Sequence, residues 1–458
     1  MFDRPASTWP QELAATARLA APLVGANLLQ MAVYSVDVVF ISRLGQEQLA
    51  ASSLSVALFG LLLWSMTSLV GAASPLIAAE LGKRRHAVRE VRRTVRMAGW
   101  LALLSGLFIM AVCMAGIPLM RLTGQEEAVI ARARPFLHIL MFAAIPSTFA
   151  MLQRTFVSTL GRAGIGTAVT LLALIVNTIG NYVFVFGHFG MPALGLEGSA
   201  LSSVTTSLAM CAAYAVIIRR DRRFRRYRLM GNWWKPEAAR FFELVRIGLP
   251  IAATVLAEAG LFSGAAFVMG RIGEAELAAH TVALQLVAIA FQVPYGVSQA
   301  ATIRVGLAYG ARDAAGIARA GWTGIVLGIG FMAVSAITIL LAPLLLLRLY
   351  IDPDAPQNAA MVGFALQFMT IAAAFQLFDG AQAVGAGVLR GLQDTRVPMV
   401  YALFGYWAVG FSASLWLGLR TPLGGTGVWL GLMAGLVVVA ALMLQRWGRR
   451  RKLALLPA

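Results

Sequence analysis

Residues Arg219 to Arg246 read RRDRRFRRYRLMGNWWKPEAARFFELVR, ten Lys or Arg against three acids. On either side, residues 1–218 and 247–458 are almost uninterrupted apolar sequence, and the two sides resemble each other. A basic loop beside membrane spans is the ordinary result of Lys and Arg collecting on the cytoplasmic side. A nucleic-acid or anionic-lipid patch is the functional alternative. Residues 219–243 are therefore read as a cytoplasmic connector. It joins an N-terminal lobe, 1–218, to a C-terminal lobe, 244–445, and a basic cytoplasmic tail, 446–458, follows.

The composition supports that reading. Of 458 residues, 59% are hydrophobic and 13% charged, against about 45–50% and about 25% in soluble domains. A water-soluble core cannot bury this excess, so the chain belongs in a bilayer. Period-two alternation is absent, which argues against a β-barrel. The net charge of +18 sits in short loops between apolar runs, so no nucleic-acid partner is expected. Cys113 and Cys211 both lie inside apolar runs and offer neither a disulfide framework nor metal-ligand spacing. After the polar start MFDRPASTWPQE the first apolar run is followed by many more, so it reads as a span and not as a cleaved leader.

A span needs about 20 mostly apolar residues. Twelve runs qualify: 19–41, 52–79, 97–120, 135–159, 165–187, 196–218, 244–270, 280–309, 320–347, 360–389, 397–418 and 423–445. Pro75, Pro146, Pro250 and Pro294 are candidate kinks. With the N-terminus inside, 31 of the 38 Lys and Arg fall in inward segments. That bias puts both termini and the connector in the cytoplasm.

The two halves repeat. Arg43-Leu-Gly45-Gln-Glu-Gln-Leu49-Ala-Ala51 follows the first span, and Arg271-Ile-Gly273-Glu-Ala-Glu-Leu277-Ala-Ala279 follows the seventh, at an offset of 228. Ala98-Gly99-Trp100 is echoed by Ala320-Gly321-Trp322, at an offset of 222. Six spans per half is an even number, so both halves enter the membrane from the same side. The expected architecture is all-α, two six-helix bundles related by a parallel pseudo-twofold repeat. Such a pair of bundles, with a site between or within them, is a transporter plan.

A charge at mid-bilayer costs about 2.5–3.5 kcal/mol on the lenient scale. Three acids lie well inside spans: Asp37 in the first, Glu258 in the seventh and Asp379 in the tenth. No Lys or Arg is placed equally deep; Arg154, Arg304 and Arg390 fall near cytoplasmic ends and can snorkel. A carboxyl group taken out of water holds its proton more readily; it can load and release a proton, or bind a hard cation through oxygen. The bland reading is a neutral acid used for packing. Asn177 and Asn181 are four apart on one helical face and can serve a carboxylate, a cation, or plain interhelical hydrogen bonding. Gln30 is the repeat counterpart of Glu258, whereas Asp37 faces Ala265 at the same offset. His280 and His138 are read as interfacial. Glu80, beside Lys83 to Arg85, is read as structural or gating. No H-E-x-x-H or G-x-S-x-G motif is present, so an enzyme is disfavoured.

Several stretches carry a family resemblance. They are QMAVYSVDVVFISRLGQEQLAA at 30–51, NTIGNYVFVFG at 177–187, GMPALGLEGSA at 190–200 and Gly270 to His280. Two more are FQVPYGVSQAATIRVGLAYG at 291–310 and FQLFDGAQAVGAGVLRGLQDTRVPM at 375–399. In order and spacing the chain resembles the MATE (multidrug and toxic compound extrusion) transporters, in their bacterial NorM-like branch. The resemblance implies secondary efflux of organic, mostly cationic, compounds and drugs in exchange for H+ or Na+. It implies no further cofactor and an inner-membrane, monomeric protein. Asp37 matches the first-helix aspartate, with Asn177 and Asn181 as its polar neighbours. Glu258 and Asp379 match the C-lobe acid pair, and Ser203 falls near a threonine of some members. Sodium, where it is the coupling ion, would sit at Glu258, Asp379 or Asp37. Glu80 departs from the glutamine many members carry. A lipid-linked precursor flippase is the alternative; it needs cations facing a central cavity, and the sequence places none there.

Overall fold

The computed structural model describes residues 8–83, 86–122, 127–229, 231 and 233–457. Arg4, Arg84 and Arg85, which entered the charge count, lie outside them. The described chain is helical, without a strand. Inside a bilayer a backbone must satisfy its own polar groups, and a helix does so within one segment.

Twelve helices of 24 to 38 residues are long and apolar enough to cross a membrane. They are α1 Trp9–Ser42, α2 Gln46–Lys83, α3 Ala87–Met114, α4 Glu127–Thr159, α5 Ala163–Phe186 and α6 Leu196–Arg220. The second half gives α7 Ala238–Ile272, α8 Glu274–Gly310, α9 Ala314–Leu341, α10 Pro356–Gly391, α11 Arg396–Arg420 and α12 Gly425–Gly448. Each coincides with an expected span, and most run beyond it, because polar end turns keep the same backbone ladder. Two of the expected kinks coincide with breaks. Helix α2 is interrupted at Ala72, just before Pro75, and α4 passes through a 3-10 turn at Met141–Ala143, just before Pro146. Pro250 and Pro294 lie inside continuous helices. Unexpected is a π-helical stretch, Phe404–Phe411, in the middle of α11.

The chain forms two compact units. One is Gly25–Ala252; the other takes the start of α1 through Val24 together with the chain from Ala253 onward. The partition therefore falls inside α1 and inside α7. In the first unit the connector folds onto its own helices. Phe224 and Tyr227 are buried against Phe156, at ring separations of 5.7 and 5.4 Å. Glu237 pairs with Arg93 and Arg96. Arg240, at the start of α7, bonds Glu80 at 3.2 Å, Glu90 at 3.0 Å and Glu243 at 2.8 Å. In the second unit Glu12, at the start of α1, takes a two-pronged bond from Arg304 on α8, at 2.7 and 2.6 Å. Arg304 thus does not snorkel: a buried carboxylate is within its reach. Glu12 and Arg240 are repeat counterparts at the offset of 228, so equivalent positions hold ion pairs of opposite polarity.

Small residues allow close packing, as in other membrane helices. A Cβ on Gly198 of α6 would run into the Phe184 carbonyl of α5, and one on Gly180 would lie 2.5 Å from Ser202 Oγ. The α5–α6 turn depends on Gly187, whose φ of +75° favours glycine and whose Cβ would lie 2.5 Å from Ala193 N. The Ala-Gly-Trp echo has a structural content. A Cβ on Gly99 would overlap the ring of Trp233 from the connector, and one on Gly321 would overlap Trp447 at the end of α12. Each half closes a tryptophan, from the connector in the first and from the last turn of the sixth helix in the second, onto the glycine of its third helix. Trp447 is fully buried and has nowhere to move. Gly321→Ala is expected to lower stability by about 1–3 kcal/mol through overpacking, seen as a fall in Tm. Gly330→Ala, nine residues along the same helix with nothing within 4 Å of the new Cβ, is expected to leave Tm unchanged or slightly raised.

Candidate functional site

The intramembrane acids fall into two clusters, one in each unit. In the first, Asp37 on α1 faces α5 and α6. Its Oδ1 accepts hydrogen bonds from Asn177 Nδ2 at 2.9 Å and Asn181 Nδ2 at 2.7 Å, and its Oδ2 accepts from Ser203 Oγ at 3.3 Å. The one-turn spacing of the asparagines puts both amides on the face toward Asp37. Asn181 Nδ2 also reaches the Asn177 carbonyl at 3.0 Å, and Ser202 Oγ donates to that carbonyl at 3.0 Å. Both asparagines are fully buried. The close α5–α6 contact at Gly180 and Ser202 fixes this geometry. Three donors from two helices thus compensate one carboxylate, and among the described residues no Lys or Arg joins them. Gln30 takes no part in that set. It lies nearly two turns before Asp37 on α1.

In the second unit Glu258 on α7 and Asp379 on α10 share one amide. Gln382 Nε2 donates to Glu258 Oε1 at 3.3 Å and to Asp379 Oδ1 at 3.2 Å, and Gln382 Oε1 accepts from the Tyr406 hydroxyl at 2.9 Å. Asp379, Gln382 and Tyr406 are all buried. The Tyr406 bond decides which way the amide points, because a hydroxyl that donates to Oε1 leaves both amide hydrogens for the acids. Tyr406 owes its place to the π-helical stretch, since such a turn re-aims side chains and recurs at functional sites. Gly405 and Gly410 let the stretch press on Gly435 of α12, where a Cβ on Gly435 would lie 2.8 Å from the Gly405 carbonyl. Helix α10 is held to α8 by Ser298 Oγ on the Ala383 carbonyl, 2.7 Å, and Thr302 Oγ1 on the Gly387 carbonyl, 2.8 Å.

Arg390 lies in the last turn of α10, the span-end position read from the sequence. One expectation needs correction. His280 is not interfacial. Helix α8 begins at Glu274, so His280 lies well inside it, fully buried and edge-on to Trp429 at 5.5 Å.

Sequence reasoning brought Asp37, Asn177 and Asn181 to one place, and the resemblance paired Glu258 with Asp379; Ser203, matched only to a threonine of some members, joins the first cluster in the structure. Sequence reasoning missed Gln382 and Tyr406. Gln382 could have been found by its spacing: it lies three residues after Asp379, on the same helical face. The described residues hold no group of three or more His, Cys, Asp or Glu placed to bind a metal ion. What the clusters offer is oxygen and amide chemistry suited to taking up a proton or a hard cation and releasing it again.

Comparison with known proteins follows the same lines. The family profile MatE matches residues 22–183 and 250–416. The "Probable multidrug resistance protein NorM" of Mesorhizobium japonicum is 44% identical over 98% of this chain and 96% of its own. That of Brucella suis biovar 1 is 42% identical over 97% and 94%. The "Multidrug resistance protein NorM" of Burkholderia vietnamiensis is 36% identical over 94% and 93%. Among solved structures, a MATE in complex with MaL6 superposes with a TM-score of 0.88 at 20% identity, covering 97% of both chains. An outward-facing multidrug resistance MATE transporter of the MOP superfamily gives 0.85 at 19%, covering 97% and 96%.

Proposed function

The chain belongs to the MatE family of multidrug efflux transporters, and on that premise we propose that proton uptake at its intramembrane carboxylates drives export of organic cations. It is a multi-pass membrane transporter, not an enzyme. The reading adds a bacterial inner-membrane location, cytoplasmic termini and connector, and a monomer as the working unit. One chain carries both carboxylate clusters, which supports the last point.

The observation behind proton coupling is the polarity of the groups around the acids. Asp37 faces three N–H or O–H donors, and Glu258 and Asp379 share an amide N–H. A sodium ion prefers a shell of oxygens, whereas a carboxylate held by donors needs only to gain and lose a proton. A protonated acid releases a cation that the ionised acid attracts, so one group serves both cargoes in turn. Exchange of one proton for one monovalent cation moves no net charge, so the membrane potential, worth about 2.3 kcal/mol per charge per 100 mV, contributes nothing at that stoichiometry.

One observation favours sodium instead. Asn181 Oδ1 is buried without a donor, on the residue whose amide already bonds Asp37. Proteoliposomes loaded with a fluorescent organic cation distinguish the readings. Export is expected on an imposed proton gradient and not on a sodium gradient. Export on sodium alone would overturn the proton reading. Relatives described as multidrug resistance proteins do not favour the lipid-linked flippase.

A further inference from the structure

The first unit holds a second polar cluster, built from cationic and neutral donors. Arg154 lies in the penultimate turn of α4, and its Nη2 donates to Asn27 Oδ1 at 2.6 Å. Among the described residues no carboxylate lies within 4.0 Å of its guanidinium. Because Asn27 must turn its oxygen to Arg154, its Nδ2 is left as a donor, buried and without an acceptor. Tyr214 of α6 is fully buried, and its hydroxyl has no partner. A buried polar group without a partner costs about 1–3 kcal/mol, so two beside an unneutralised cation call for an occupant.

The room for one is at Gly166 of α5. The position of the absent Cβ is 3.6 Å from Tyr214 Oη and 3.9 Å from Arg154 Nε. Arg154 Cγ lies 3.8 Å from the same point, so both side chains border the face that the missing Cβ leaves bare. Water there would satisfy the hydroxyl and leave the charge. An anionic atom answers both. We propose that Arg154, Tyr214 and Gly166, with Asn27 orienting the guanidinium, form an anion-binding seat one atom wide, suited to chloride or to a single phosphate oxygen. It is a different site from the Asp37 cluster and does not depend on the coupling mechanism proposed above. Its position less than two turns from the end of α4 also suits the phosphate of a lipid headgroup.

The test reads binding through stability, apart from transport. Purified protein in neutral detergent is unfolded thermally at constant ionic strength, with gluconate replaced by chloride and then by inorganic phosphate. A second arm compares nanodiscs of phosphatidylglycerol and phosphatidylcholine. Wild type is expected to gain about 3 °C in at least one arm. Gly166→Ala, whose methyl meets nothing nearer than 3.6 Å, keeps the fold and every donor but closes the seat, and is expected to lose the gain. Arg154→Gln is expected to lose it as well. A response to chloride, lost in Gly166→Ala, identifies a free anion as the occupant. A response to phosphatidylglycerol alone, lost in the same variant, identifies a lipid phosphate. A Gly166→Ala protein that responds like wild type, or no response in any arm, overturns the seat.

Discussion

Asp379→Asn is expected to reduce gradient-driven export of a fluorescent organic cation at least about tenfold, which corresponds to about 1.4 kcal/mol of lost driving interaction, while Tm stays within a few degrees of wild type. The substitution keeps size and shape. Asn Oδ1 can still accept the bond that Gln382 Nε2 now gives to Asp379 Oδ1. What it removes is the group that can change charge. Gln382→Leu is the contrasting variant. It leaves Glu258, Asp379 and the Tyr406 hydroxyl without the amide that joins them, and each such orphan costs about 1–3 kcal/mol. That variant is expected to lose stability and export together. The pair separates the acid that carries the ion from the amide that positions it. Wild-type export by Asp379→Asn would remove the C-lobe acid as essential and shift attention to Asp37, where Asp37→Asn is the next variant to measure.

The contrast also shows which parts of the site a sequence displays. A lone carboxylate in an apolar run is conspicuous because its burial has an energetic cost, so Asp37, Glu258 and Asp379 stand out. Asn177 and Asn181 stand out because their spacing matches one helical turn. Gln382 and Tyr406 carry no such mark, since a glutamine or tyrosine between membrane helices is ordinary glue. The π-helical turn that aims Tyr406 is a backbone event set by Gly405, Gly410 and Gly435 meeting across two helices, and no periodicity in GYWAVG announces it. The twelve spans were legible because hydropathy reports burial in lipid directly. Helix ends were not, because polar turns continue a helix beyond the apolar run. The displaced end of α8 is what moved His280 from an interface into a core.

Arg304→Gln is expected to destabilise the protein more than any surface substitution, by about 3–5 kcal/mol, because it strands a buried carboxylate. Glu12 is 3% exposed, and among the described residues its side chain receives, besides the guanidinium, only a long bond from Thr16, 3.4 Å. Removing one partner of such a pair costs far more than the pair contributes, so Glu12→Gln combined with Arg304→Gln is expected to recover most of the loss. Non-additivity of at least about 1 kcal/mol in that cycle is the measurable signature of a direct interaction. At the repeat position the same test has a different expected result. Arg240 is shared by Glu80, Glu90 and Glu243, and Lys83 also bonds Glu80 at 3.1 Å. Glu80→Gln therefore leaves Arg240 with two acids and is expected to cost no more than about 1 kcal/mol, the range of a pair whose partner keeps other counter-charges. The two halves thus anchor the starts of α1 and α7 by one device of opposite polarity, exclusive at Glu12 and distributed at Arg240. Equal losses in Arg304→Gln and Glu80→Gln would refute that distinction.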